Sequence, residues 1–235
     1  MKMKCKTKSL FVAASLMAAS TCAFAGGHEE AVQAQKWTPK TLRESLAAMP
    51  AGDISRGKET HDRLYCASCH GAAGEAPSRN YPHLAGQRAE YTYKMLVDYK
   101  DYRRDEGTGR AQSMVRLSQL LSDQQMADLA VYYESLPLPE SNGAVSGTPL
   151  LVSKGDPQRL LTPCASCHGV SGEGGRNETP ALAGQVKDYF IRTMYNFKEG
   201  HRDNDAEEGM RQFVHDLTEE EIETLAEYYA SMPKP

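Results

Sequence analysis

Residues 66–71 read CASCHG, and residues 164–169 read CASCHG again, 98 positions later. The identity runs well beyond six letters. At the same offset Gly74 and Glu75 match Gly172 and Glu173, and Pro82, Leu84, Ala85, Gly86, Gln87 and Tyr91 match Pro180, Leu182, Ala183, Gly184, Gln185 and Tyr189. Upstream, Gly57 matches Gly155. The offset then falls to 96, at which Met114 meets Met210, Ser122 meets Thr218, and Tyr132-Tyr133 meets Tyr228-Tyr229. Each repeat is roughly 85 residues long, too long for a solenoid unit and suited to two small domains. Leu136–Pro149, rich in Pro, Gly, Ser and Asn, reads as the exposed linker between them.

The chain ends frame this pair. Lys2, Lys4, Lys6 and Lys8 precede an apolar run from Leu10 to Ala19, and Ala23-Phe24-Ala25 follows with a small-x-small pattern. That is the layout of a secretory signal peptide cleaved after Ala25, which predicts export to the periplasm. A rival reading makes Cys22 a lipid-bearing cysteine and leaves peripheral membrane association open, but Thr21 before it fits that processing poorly. Losing residues 1–25 removes Cys5 and Cys22 and leaves four cysteines, all in the CASCHG pair. It also leaves 23 basic against 31 acidic residues, a balance of −8. So acidic a chain makes a poor nucleic-acid binder; the charge suits a cationic protein partner or merely keeps the protein in solution.

The patterning is helical throughout, with no convincing strand. Ser122 with Gln125, and Thr218 with Glu221, are capping boxes. Met126, Leu129, Ala130 and Tyr133, like Ile222, Leu225, Ala226 and Tyr229, fall at helical spacing on one face. Pro137 and Pro233 end these helices. A second helix is expected over about 88–101 and 186–198, and a third leading into each CASCHG from near Gly57 and Gly155. Residues 26–50 lie outside the repeat. There Thr38 and Pro39 open a short amphipathic helix, read as a packing arm or a tail rather than a site.

C-x-x-C-H is the pattern of covalent haem attachment. Two thiols, Cys66 with Cys69 or Cys164 with Cys167, add to the vinyl groups of one porphyrin, and His70 or His168 meets its iron. A thiol–disulfide site would not need the histidines, and zinc would need a fourth ligand. For the sixth iron ligand, Met114 and Met210 each stand eight residues before the Ser/Thr cap. They are the methionines that match across the repeats, and a thioether is a suitable haem ligand that raises the potential. Both are expected in loops. Met95, Met126, Met194 and Met232 read as core filler. His61, His83, His201 and His215 have no histidine counterpart in the other repeat and read as surface residues. Pro82 and Pro180 offer carbonyls to the axial imidazoles. Gln87, Tyr91, Gln185 and Tyr189 face either propionates or the domain interface, or else merely cap and pack the next helix.

CASCHG, then P-x-L-A-G-Q-x-x-x-Y, then a methionine before a capped helix ending YYxSLP, resembles the class I cytochrome c domain. Two in tandem resemble the dihaem cytochrome c4 family over about residues 52–235. The resemblance implies an all-α fold of two domains, 51–138 and 150–235, joined by 139–149 and related by a pseudo-twofold axis. It implies two covalent haems c, face to face, with His/Met ligation. It also implies an electron carrier, not an enzyme, working between a dehydrogenase or quinol-oxidising complex and a terminal oxidase or other cytochrome. The alternative role is the cytochrome subunit of a periplasmic dehydrogenase complex, such as a sulfide-oxidising flavocytochrome c; a dihaem peroxidase fits less well, because two matched methionines close both irons. The extension at 26–50 and the charged stretch before Met114 depart from the family pattern.

Overall fold

The computed structural model describes residues 34–141 and 147–232; the expected signal segment, part of the linker and Pro233 lie outside them. Among the described residues every regular element is helical, apart from an isolated bridge between Asp156 and Leu161. Repeat 1 contributes α2 (Ile54–Arg63), α3 (Ala67–His70), α4 (Ala89–Lys100), α5 (Gly109–Ser118) and α6 (Asp123–Ser135), preceded by α1 (Pro39–Ala47) from the extension. Repeat 2 contributes α7 (Leu150–Ser153), α8 (Ala165–His168), α9 (Lys187–Lys198), α10 (Arg211–Val214) and α11 (Glu219–Ser231), with one 3-10 turn at Ala206–Glu208.

The local signals explain the ends. Ser122 and Thr218 accept from the backbone N–H three residues on, and Gln125 and Glu221 return the bond, so both capping boxes close. Thr38 caps α1 with Pro39 in its first turn. The apolar stripes of α6 and α11 are buried as their spacing demands, and each anchors its own core. One core gathers Tyr93, Leu96, Met126 and Leu129; the other gathers Phe190, Met194, Ile222 and Leu225. Each such side chain contributes about 1.5–3 kcal/mol on burial.

The two repeats differ at their first helix. In repeat 1, α2 crosses α6 so closely that a Cβ on Gly57 would lie 2.1 Å from Asp128 O. Buried Asp128 locks this crossing by accepting from Asp53 N and from Arg56 Nε and Nη2, each at 2.8 Å. In repeat 2 the helix expected from Gly155 is absent. Gly155 has φ +68°, and Asp156 exchanges two 2.8 Å backbone bonds with Leu161, closing a turn around Pro157. Only the single turn α7 remains, so the sequence match of Gly57 with Gly155 is not a structural one. The extension does act as a packing arm. Trp37 is buried and donates from Nε1 to Asp98 at 2.5 Å, while Lys36 reaches Asp203 of repeat 2 at 2.7 Å. Gly86 and Gly184 lie against Leu138 and Pro139, so the start of the linker is packed and Pro139 is buried.

Candidate functional site

Each CASCH motif forms one helical turn, α3 or α8, which sets residues i and i+3 on one face. No disulfide joins the four described cysteines. Burial pushes the Cys66 and Cys164 thiols up, toward the protonated form, whereas a redox-active pair needs a depressed thiol. Among the described residues no group of three or more His, Cys, Asp or Glu stands close enough to hold a metal ion. Neither the thiol–disulfide nor the zinc alternative gains support.

The histidines that follow are buried and identically held. His70 Nδ1 lies 3.0 Å from Pro82 O, and His168 Nδ1 lies 3.0 Å from Pro180 O. A carbonyl only accepts, so both rings carry the proton on Nδ1 and leave Nε2 bare to act as a ligand. Burial lowers both imidazole pKa values, partly offset by these bonds, which keeps the rings neutral.

Met114 and Met210 are both part-buried beside their own repeat's core. Met114 departs from the expected loop, whereas Met210 stands in a turn. Thr108 caps α5, whose Ala111, Val115 and Ser118 face inward, and Met114 is carried on that helix. Met210 occupies the N-cap position of α10, and its backbone N–H donates to Asp205 Oδ2 at 3.0 Å. The stretch before Met114 gave no strong periodicity, but its Thr cap and the Ala111/Val115 spacing were sufficient to start a helix.

A single cavity of about 540 Å³ connects these groups. In repeat 1 it touches Cys66, Cys69, His70 and Met114, and in repeat 2 Cys164, Cys167, His168 and Met210. Leu64, Leu129, Phe190 and Phe197 supply apolar wall. The rival histidines divide. His201 and His215 are exposed, as expected. His61 is wholly buried instead, bonded through Nδ1 to Tyr133 OH at 2.9 Å. His83 is part-buried and accepts from Ala76 N at 2.8 Å. Neither is a surface residue, because each satisfies a local polar group that burial would otherwise orphan. Met126 and Met232 are core filler, and Met95 and Met194 are buried at the cavity wall.

The repeats meet across this cavity in reciprocal pairs. Gln87 bonds Ala181 while Gln185 bonds His83, which is Ala181's counterpart. Arg104 Nη2 reaches Tyr189 OH at 3.3 Å while Arg202 Nη2 reaches Tyr91 OH at 3.2 Å. Each residue touching its partner's counterpart is the signature of a twofold contact. The four repeated Gln and Tyr residues are therefore interface residues. Arg104 is paired with Glu106 at 2.9 Å. Arg202, 4% exposed, bonds Asn204 and Met95 but has no carboxylate within ion-pair distance among the described residues. A buried guanidinium so placed on a cavity wall calls for an anion.

Residues 54–137 and 157–233 each match the family model described as "Cytochrome c". A cytochrome c4 of Thiocapsa roseopersicina is 33% identical over 191 residues, spanning 77% of this chain and 94% of that protein. This chain belongs to the dihaem cytochrome c4 family. It is an electron-transfer protein, and its two domains carry covalently attached haem c. The structure of reduced recombinant cytochrome c4 from Pseudomonas stutzeri superposes with a TM-score of 0.66 at 29% identity, over 77% of this chain and all of that one. A protein named thiosulfate dehydrogenase electron acceptor, from Stutzerimonas stutzeri, is 30% identical over 72% of this chain and 79% of its own length.

Sequence reading missed Arg104, Arg202 and Lys94. For the arginines a signal was present: Arg104-Asp105 and Arg202-Asp203 extend the 98-residue offset past Tyr91 and Tyr189. For Lys94 the signal was only half present: Asp98 stands four residues on in the same helix, but its other partners, Asn204 and Glu178, come from repeat 2.

Proposed function

We propose that this chain relays single electrons in the periplasm from a dehydrogenase or quinol-oxidising complex to an oxidase or a second cytochrome, through domains 51–138 and 150–235. Haem supplies a reversible one-electron couple whose potential follows its axial ligands. In this reading Cys66 and Cys69 anchor one haem and Cys164 and Cys167 the other. His70 with Met114, and His168 with Met210, are the axial pairs. The observation that carries the assignment is the pair of equal His–Pro bonds, each leaving a bare Nε2 at the wall of the cavity that both methionines also line. Arg202 and Arg104, with Tyr91 and Tyr189, are suited to take propionate carboxylates at the interface, which answers the buried guanidinium's need for an anion. The apolar wall of Leu64, Leu129, Phe190 and Phe197 would limit the solvent rearrangement that accompanies electron transfer at a haem held there. The acidic surface suits docking on a basic partner.

Haem counting on natively secreted protein tests this reading. Two covalent haems per chain are expected, falling to one in Cys66→Ala/Cys69→Ala and one in Cys164→Ala/Cys167→Ala. Met114→His and Met210→His should each lower one of two potentials. Fewer than two haems in the native protein, or no shift from either methionine variant, overturns it. The relatives that accept electrons from thiosulfate dehydrogenase favour a sulfur-compound dehydrogenase as donor. Reduction of the pure protein by such an enzyme, mixed with its substrate, is the corresponding measurement.

A further inference from the structure

Gln87 and Gln185 hold matching places, yet each clamps the ligand segment of the other repeat. Gln87 Nε2 donates to Ala181 O at 3.1 Å, and its Oε1 accepts from Ala181 N at 2.8 Å. Gln185 Nε2 donates to His83 O at 3.1 Å, and its Oε1 accepts from His83 N at 2.9 Å. Each Oε1 also accepts the following backbone N–H, of Arg88 or Val186, at 3.0 and 2.9 Å. Two N–H donors on the oxygen and a carbonyl on the nitrogen fix the amide orientation; flipped, it would face donors with donors. Both side chains are buried, so water cannot take over these bonds.

The clamped residues are the ones that matter. Ala181 follows Pro180, whose carbonyl receives the His168 Nδ1–H, and His83 follows Pro82, whose carbonyl receives the His70 Nδ1–H. Fixing the N–H of Ala181 fixes the plane of the Pro180–Ala181 peptide, and with it the direction of the Pro180 oxygen. The bond strength at Nδ1 in turn sets how strongly Nε2 donates to iron.

We propose that Gln87 and Gln185 are positioning residues acting across the interface: Gln87 sets the reduction potential of the haem in repeat 2, and Gln185 that of the haem in repeat 1. Loss of the clamp lets the peptide turn, weakens the imidazole–carbonyl bond and makes Nε2 a poorer donor. A poorer donor stabilises ferric iron less, so the potential rises. The proposal rests on the haem assignment above, and haem content measured on the same samples separates failure of that assignment from failure of this one.

The test is a spectroscopic redox titration of the holoprotein with Gln87→Met and Gln185→Met, near-isosteric variants without the amide. Met114→His and Met210→His first assign the two titration waves to repeats 1 and 2. Gln87→Met should raise the repeat 2 wave, the one that Met210→His lowers, and leave the repeat 1 wave in place. Gln185→Met should do the reverse. The expected shift is up to tenfold in the one-electron equilibrium, or about 59 mV. A shift confined to the variant's own repeat, equal shifts in both waves, or none with two haems retained, overturns the proposal. If Gln87→Met yields no holoprotein, Gln87→Glu keeps the acceptor for Ala181 N and loses the donor to Ala181 O. The wave that moves is then the readout, and it must again be that of repeat 2.

Discussion

Replacing Lys94 by methionine removes a cation that joins the two repeats. Its side chain is 1% exposed, and Nζ lies 2.6 Å from Asp98 Oδ2, 2.6 Å from Asn204 O and 3.2 Å from Glu178 Oε2. Asp98, 0% exposed, keeps only neutral donors once the lysine is gone: Trp37 Nε1 and Asn204 Nδ2, both at 2.5 Å. Breaking a buried pair from one side costs about 3–5 kcal/mol, because the remaining charge is stranded. Methionine fills similar volume, so little cavity cost adds to this. For a chain of this size that corresponds to roughly 6–20 °C in midpoint, at about 2–4 °C per kcal/mol. Lys94→Met/Asp98→Asn strands no charge at this pair and should be more stable than the sum of the single losses predicts, with a coupling of about 1–3 kcal/mol. Urea unfolding of the four holoproteins, followed by far-ultraviolet circular dichroism, measures the cycle. The reasoning is refuted if Lys94→Met stays within about 1 kcal/mol of the parent, or if the two losses add within about 0.5 kcal/mol.

Glu178→Gln removes a carboxylate from the repeat 2 side of the interface, where repeat 1 carries neutral Asn80, and should raise the potential of the haem in repeat 2 alone. Redox titration reads this. Burial also raises the Glu178 pKa, partly offset by Lys94, so the folded protein binds this proton more tightly than the unfolded chain. Its contribution therefore favours folding as pH falls through the folded value, and Glu178→Gln should remove that slope from stability measured at mildly acid pH. Asp128 behaves oppositely: burial raises its carboxyl, but bonds from Arg56, Gln124 and Asp53 N outweigh this and hold it below the usual range. Stability from Asp128 is present above the unfolded pKa and lost as pH falls through the folded one, so Asp128→Asn should be less stable at neutral pH by about 1–3 kcal/mol and nearer the parent in acid. Gly57→Ala should cost about 1–3 kcal/mol by forcing α2 off α6, whereas Gly109→Ala, with open space around it at the start of α5, should gain up to about 1 kcal/mol. Equal midpoints for these two variants would contradict the close crossing.

The sequence by itself determined most of what short-range chemistry controls. Two thiols three residues apart with a histidine beside them make one helical turn in both copies, and Ser122 with Gln125 closes a cap within its own turn. The repeat then doubled each inference, which is how Met114 and Met210 stood out from eight other methionines. Even the Pro82 and Pro180 carbonyls were legible, being twelve residues from their imidazoles in both copies. The tertiary structure decided what depends on contacts 60 to 110 residues apart. Trp37 covers Asp98, Lys94 enters repeat 2, and His61 is buried on Tyr133. The copies also diverge at a local turn that the repeat concealed: a glycine inside α2 in one repeat is left-handed in the other, where Asp156 and Leu161 close on each other before a helix can extend. Burial and charge pairing across an interface are set by which surfaces meet, and no local pattern along the chain encodes that meeting.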